Sequence, residues 1–412
     1  MKRIEGFIFG CSIALLIFSS FYGLITLFFD YQIIRVSKDI VLFFLGSLSI
    51  IIIFFTTKEY LKINLYFIFI LLFISFFSLI VALLKNDADI FVWAYGFKIL
   101  ILPMLMFFVG YITSNKYSKF EFFNFIVAIS LVLFWSFQYL MGLDWLLSIG
   151  YEYGVNVKHF VGGILRLPSI TDSPDAYAFL LAITAFFSIR SESLLKKPIL
   201  KNIMVLFFLT FILLSTSRTS IIFFVVCLLT ISIVEKKLFS YYKISISLFL
   251  VILLTLVVYT IKDSIVLFST YSLFDRLSHW GSELPNLLSI EGLVGMGLGS
   301  VGATSSALTK RYGYDNYYAV DNQFLALYEQ IGILGLMFIL IYFLFYFYNI
   351  NKIKSITKNK NNIRVFNTGI SIVISLAFSS IFTNSLEIYP FNLFFWLFMG
   401  MSLSERRLSN NQ

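Results

Sequence analysis

The chain has 412 residues, of which 59% are hydrophobic, 19% aromatic and only 13% charged. A water-soluble domain has too little interior to bury that much apolar surface, so the soluble globular classes are excluded. The formal charge of +9 does not mark a nucleic-acid partner, because Lys and Arg fall in short connectors between apolar runs, where they set membrane topology.

Apolar runs of roughly 17–25 residues read as transmembrane helices. In chain order they lie near 6–29, 40–55, 64–84, 90–111, 122–141, 176–189, 202–216, 219–234, 244–261, 325–349, 365–383 and 391–404. The expected fold is an all-α polytopic membrane protein with about twelve transmembrane helices in one integral membrane domain, 1–412. The first run follows Met1-Lys2-Arg3. It is too long for a signal-peptide core and lacks a small-x-small cleavage pattern, so it reads as a retained helix. Cys11 and Cys227 both fall inside apolar runs, which suits neither a disulfide framework nor a metal motif.

Lys and Arg concentrate at the N-terminus, near Lys58, Lys116, Arg190–Lys201, Lys236–Lys243 and Lys352–Arg364, and in the Arg406-Arg407 tail. By the positive-inside rule both termini are cytoplasmic, in the cytoplasmic (inner) membrane of a multi-pass protein. Two long loops then face outward, 142–175 and 262–325. Loops of this length are commonly functional, and these are rich in Trp, Tyr, Phe, Leu and Gly rather than disorder-promoting residues. Within the second, Tyr271–Leu288 suits a short amphipathic helix with Phe274, Leu277, Trp280 and Leu284 on one face and Pro285 near its end. No internal repeat is visible, which argues against the inverted halves of secondary transporters.

The second loop holds the densest mixture of chemistry-bearing residues. Arg218 sits upstream of it, in the polar turn Ser215-Thr216-Ser217-Arg218-Thr219-Ser220. It reads either as a snorkelling interfacial arginine or as a fork placed to grip a lipid-linked phosphate. Arg276 and Trp280 are four apart, on one face if helical, as a stacked pair or a ligand contact. Arg166 in the first long loop and Lys310-Arg311 in the second add cations on the side where positive charge is scarce. An anionic substrate at that face would account for them.

Gly297-x-Gly299-x-x-Gly302 matches a dinucleotide fingerprint but has no strand–turn–helix unit around it, so the glycines read as a tight turn or a close backbone approach. Asp321-Asn322 precedes a helix that carries Glu329, Gly332 and Gly335; either residue suits an N-cap, and Asp321 also suits a general base. Glu329 and Lys98 are ionisable groups within apolar runs, where a partner or a functional role is the usual explanation. His159 and His279 are the two histidines, too isolated for a metal site. Asp172 and Asp175 flank Ser173-Pro174; the pair could bind a divalent cation, but turn formation around Pro174 is the preferred reading. No metal or other cofactor is expected.

Several of these pieces occur in one order that resembles the O-antigen polymerase and ligase superfamily of bacterial envelope glycosyltransferases. The resemblance rests on Ser217-Arg218-Thr219 after Leu213-Leu214-Ser215, on Arg276-x-x-x-Trp280 followed by Gly295-Met296-Gly297-Leu298-Gly299, and on Asp321-Asn322-Gln323-Phe324-Leu325 leading to Glu329-Gln330-Ile331-Gly332-Ile333-Leu334-Gly335. It covers roughly Arg166 to Phe343. It implies a Wzy-like polymerase acting on undecaprenyl-pyrophosphate-linked oligosaccharide, which reaches the site through membrane lipid without a nucleotide sugar. A flippase and a chain-length regulator are the implied partners.

Ligases of this superfamily usually carry histidine before the asparagine matched by Asn322. Here that position is Asp321, which favours polymerase and leaves the base open. On this reading Arg218 and Arg276 hold the pyrophosphate and Asp321 activates the acceptor. Arg166, Trp280, Lys310, Arg311, Asn322 and Lys98 contribute to substrate binding. The alternatives are an O-antigen ligase transferring glycan to lipid A core and a lipid-linked oligosaccharide flippase or transporter.

Overall fold

Helix dominates the chain because long apolar segments can satisfy every backbone N–H and C=O only within themselves once water is absent. The computed structural model describes residues 2–29, 31–56, 58–84, 90–159, 165–191, 196–235, 278, 280, 289–302, 305, 308, 320–357 and 359–404. The helices are α1 (Lys2–Ser20), α2 (Tyr22–Phe28), α3 (Gln32–Thr56), α4 (Lys58–Leu84), α5 (Ile90–Gly96), α6 (Met106–Thr113), α7 (Tyr117–Ser148) and α8 (Pro174–Arg190). There follow α9 (Pro198–Leu214), α10 (Arg218–Val234), the short α11 (Ile290–Val294), α12 (Gln323–Ile356), α13 (Lys360–Ser380) and α14 (Phe391–Leu403). A two-stranded antiparallel ribbon, β1 (Lys158–His159) with β2 (Leu165–Arg166), sits between α7 and α8.

Among the described residues, six helical runs are long and apolar enough to cross a membrane, as in a multi-pass membrane protein: Arg3–Ser20, Ile33–Phe55, Asn64–Leu84, Ile90–Ser148, Gln323–Ser355 and Lys360–Ser380. Shorter apolar helices are Ile199–Leu214, Arg218–Val234 and Phe391–Leu403. The sequence-based expectation of 244–261 falls outside the described residues. Elsewhere the boundaries move. The run expected at 6–29 divides at Phe21 into α1 and α2, and the run expected at 40–55 begins at Gln32. The helix expected at 122–141 extends over 117–148, bent at Gly142, and so takes up the first seven residues of the 142–175 loop.

The starts are set by capping. Ser173 accepts from the Ala176 amide at 3.2 Å, with Pro174 opening α8 where its missing N–H costs nothing. Asn322 Oδ1 accepts from the amides of Phe324 and Leu325 at 2.9 and 3.3 Å and so begins α12. Pro103 has the opposite effect. It removes the donor that Ile99 O would receive in a regular helix. The chain responds with a π-helical turn over Phe97–Ile101 and a 3-10 turn over Leu102–Leu105, and Ile99 O accepts from Asn392 Nδ2 at 3.4 Å.

Packing is closest where α6 crosses α14. A Cβ on Gly110 would overlap the Leu397 carbonyl, and one on Gly400 would overlap the Phe107 carbonyl, so the two backbones touch through reciprocal glycines. Small residues permit such approach, and dispersion rather than water exclusion holds helices together in lipid. Around this crossing lie the buried rings of Phe67, Phe107, Phe108, Tyr342 and Trp396, with Phe67 only 4.4 Å from Phe107 and 4.1 Å from Tyr342 between centroids. At one end of the bundle the carboxylates of Glu121 and Glu235 pair with Arg364 and Arg190, tying α7 to α13 and the end of α10 to α8. The other end carries the described parts of the two long loops.

Gly110→Val is expected to lower stability by about 3 kcal/mol or more, because no rotamer change can move a facing backbone. Gly10→Ala, with open space at its Cβ position, is expected to leave stability level or raise it by up to about 1 kcal/mol. Thermal unfolding of both variants in detergent checks this.

Candidate functional site

The loop end of the bundle is built on a break in α12. At Gly332 the backbone takes φ 68° and ψ 179°, a conformation that side-chain-bearing residues rarely hold. The break frees carbonyls one turn upstream, and the incoming loop fills them: Met296 N donates to Glu329 O at 2.7 Å and Gly297 N to Gln330 O at 2.9 Å. On its other side the loop meets α5, where a Cβ on Gly299 would overlap the Val92 carbonyl and a Cβ on Gly96 would overlap Gly299. Within the glycine pattern that resembles a nucleotide fingerprint, Gly299 therefore serves close passage of backbone against α5.

Beneath this turn lies a buried cluster of amides around one carboxylate. Glu387, 6% exposed, accepts through Oε1 from Gln323 Nε2 at 3.4 Å and Gln330 Nε2 at 3.3 Å. The same two glutamines hold backbone. Gln330 accepts from Gly299 N at 3.1 Å and donates to Val301 O at 3.0 Å, and Gln323 accepts from Leu386 N at 2.9 Å. Asn384 donates to Val320 O at 2.8 Å. Glu329 is also buried on this helix.

A second cluster adjoins it through Tyr389. The Lys38 ammonium lies between the rings of Tyr22 and Tyr389, 4.0 and 3.6 Å from their centroids, a geometry that a desolvated cation favours. Its neighbour Asp39 pairs with Lys98 at 2.8 Å, and the Tyr389 hydroxyl bonds Ser19 Oγ. Lys98 is carried on the π-helical turn, a distortion often found at functional positions. It has its partner within the bundle, as an ionisable group in an apolar run requires.

The described part of the first long loop packs at the same end, where Leu24 N donates to Ile170 O at 3.4 Å. Arg166 pairs with Asp175 at 2.8 Å, so Asp175 is engaged by a cation rather than paired with Asp172. Gln138 binds both the Tyr151 hydroxyl and the Ser169 backbone, and burial pushes the Tyr151 phenol up to about 12. His159 Nδ1 lies 3.1 Å from the Tyr153 hydroxyl. No group of three or more His, Cys, Asp or Glu residues suited to a metal occurs among the described residues.

Arg218 is the first residue of α10 and half-buried. Its turn passes through Thr216 at φ 58°, and the side chain of the cap residue Ser217 makes no capping bond. Three rings fix its level in the bundle. Phe179, Phe223 and Phe391 meet at centroid distances of 5.9, 5.2 and 5.4 Å. Arg218 precedes Phe223 by five residues and Asp175 precedes Phe179 by four, rises of about 7 and 6 Å along their helices. Arg218, the Arg166–Asp175 pair and the Tyr389 turn therefore share one end.

Among the expected site residues, the structure thus brings Arg218, Arg166, Lys98, Asn322 and Asp321 to the loop end. Asp321 is exposed, and Asn322 is the N-cap. Trp280 is half-buried and helical. Arg276, Lys310, Arg311 and His279 lie outside the described residues, as do Phe274, Leu277 and Leu284 of the expected amphipathic helix. Sequence reasoning missed Lys38, Asp39, Glu387, Asn384 and Tyr389. One signal pointed to part of this set: Asn384 and Glu387 are polar residues close together in the short connector before α14, and Gln323 and Gln330, which hold Glu387, are seven apart, two turns on one helix face. No known family model matches the sequence, and no curated protein matches it.

Asp39→Ala is expected to destabilise the chain by about 2 kcal/mol by stranding Lys98 in a partly dry site. Asp39→Ala with Lys98→Ala is expected to recover half or more of that loss. Thermal unfolding of the two singles and the double measures the coupling.

Proposed function

We propose that this chain is a membrane glycosyltransferase that polymerises undecaprenyl-pyrophosphate-linked oligosaccharide repeat units on the outer face of the cytoplasmic membrane. The observation that carries this reading is the gathering of Arg218, Arg166 and Lys98 at one bundle end with the N-termini of α8, α10 and α14. Helix N-termini and guanidinium forks both favour phosphate oxygens.

On this reading the diphosphate of the lipid carrier lies against Arg218 and Arg276. An acceptor hydroxyl oxygen forms a bond to the anomeric carbon as the bond from that carbon to the pyrophosphate oxygen breaks. The electron pair leaves with the diphosphate, whose added charge the arginines stabilise. Asp321, exposed at the entrance of α12, takes the hydroxyl proton. Trp280 and the loop tyrosines would offer flat faces to sugar rings, and Lys310, Arg311, Arg166, Asn322 and Lys98 are assigned to substrate binding.

The break at Gly332 and the π-helical turn at Lys98 favour a second reading, a transporter for the same lipid-linked oligosaccharide, since such proteins use discontinuous helices at their substrate sites. Deletion separates the readings. Loss of a polymerase leaves single repeat units at the cell surface, loss of a flippase leaves none exported, and loss of a ligase leaves long chains stranded on the lipid carrier.

Purified protein with synthetic lipid-linked repeat units is expected to form polymer, with EDTA leaving the rate unchanged. Arg218→Ala, Arg276→Ala and Asp321→Asn are each expected to lower the rate by about 100-fold or more. Full activity in all three would refute the assigned site.

A further inference from the structure

The segment 303–319 carries Lys310 and Arg311, and the backbone on both sides of it is held by the same short turn. On the leading side, a Cβ built on Gly302 would lie 2.9 Å from Asn384 Nδ2 and 3.4 Å from each Glu387 oxygen. On the trailing side, Val320 O accepts from Asn384 Nδ2 at 2.8 Å. One residue further on, Asp321 and Asn322 begin α12, whose Gln323 and Gln330 both donate to Glu387 Oε1. The far ends of those glutamines then hold Leu386, Gly299 and Val301.

We propose that Glu387 is a positioning residue for the transfer reaction, its carboxylate fixing Gln323 and Gln330 so that the glycine turn, the start of α12 and the Asn384–Pro390 turn keep one register. This rests on the glycosyl-transfer reading of the site. The physical reason is the number of donors involved. Two amides converge on a single oxygen, and only an acceptor with spare lone pairs satisfies both. A buried carboxylate accepts more strongly than a neutral group, and its removal leaves both glutamines free to rotate and release backbone at Gly299, Val301 and Leu386. The residue sits 6% exposed under Gly302, so it acts through its neighbours rather than by meeting substrate. Asp321, exposed and only two residues before Gln323, is the group whose placement depends on it.

The test pairs kinetics with a distance measurement that needs no substrate. In the full-length protein with Cys11 and Cys227 replaced by serine, spin labels on Met296→Cys and Phe378→Cys report the glycine turn against α13; both positions are exposed. Glu387→Ala is expected to broaden the label–label distance distribution. Glu387→Gln, which keeps an acceptor oxygen in place, is expected to restore most of its sharpness. With lipid-linked repeat units, Glu387→Ala is expected to lower kcat tenfold or more with KM changed less than threefold. Glu387→Ala combined with Gln330→Ala is expected to lose no more than the worse single variant, because both act on one linkage. An unchanged distance distribution in folded Glu387→Ala overturns the positioning role, as do a normal kcat or multiplicative losses in the double variant. A wild-type protein that forms no polymer overturns the glycosyl-transfer reading instead, while the label distances still decide whether Glu387 sets the register.

Discussion

At Gly332 the main chain of α12 leaves helical geometry, and the carbonyls of Glu329 and Gln330 are taken up by the amides of Met296 and Gly297. In lipid an unpartnered backbone group costs several kcal/mol, so irregular backbone persists at depth only where other protein backbone or side chains complete it. That constraint organises the loop end. The glycine turn is needed to fill the break, and the break is needed to accept the turn. Gly96 and Gly299 have no side chains because the turn must pass between α5 and α12 with backbone against backbone.

The charged groups follow the same logic of completion. Lys98 is answered by Asp39, Lys38 by two tyrosine faces, Arg166 by Asp175 and Glu387 by two glutamines. At the opposite end Arg190 with Glu235 and Arg364 with Glu121 tie helices together, far from the loops. Such pairs add little net stability over an apolar replacement, but each is costly to break one-sidedly. They link α3 to the turn after α5, the first long loop to α8, α8 to the end of α10, and α7 to α13.

Much of the helical layout was legible in the sequence, because an apolar run of sufficient length has few other structures open to it. A cap at Asp321 or Asn322 was equally legible, since such a side chain needs only the amides of its own next turn; the structure gives the role to Asn322. The site was legible only in part. Lys98 stood out as a charge in an apolar run, yet nothing nearby in sequence named Asp39, which is 59 positions earlier and read as part of a connector. Glu387 and Asn384 read as ordinary linker residues, because their partners at Gln323, Gln330 and Val320 are some sixty residues away.

What the sequence determined alone was the class of protein, the placement of most helices and the short-range devices that begin them. These depend on solvent transfer and on bonds reaching three or four residues. The break of the run expected at 90–111 into α5, two irregular turns and α6 around Pro103 was seen only in the structure. Tertiary structure alone decided that α6 and α14 touch through Gly110 and Gly400, that the glycine turn seats against the break at Gly332, and that Glu387 collects two glutamines. Contacts of that kind carry no local period or propensity. They exist only once the helices have chosen their neighbours.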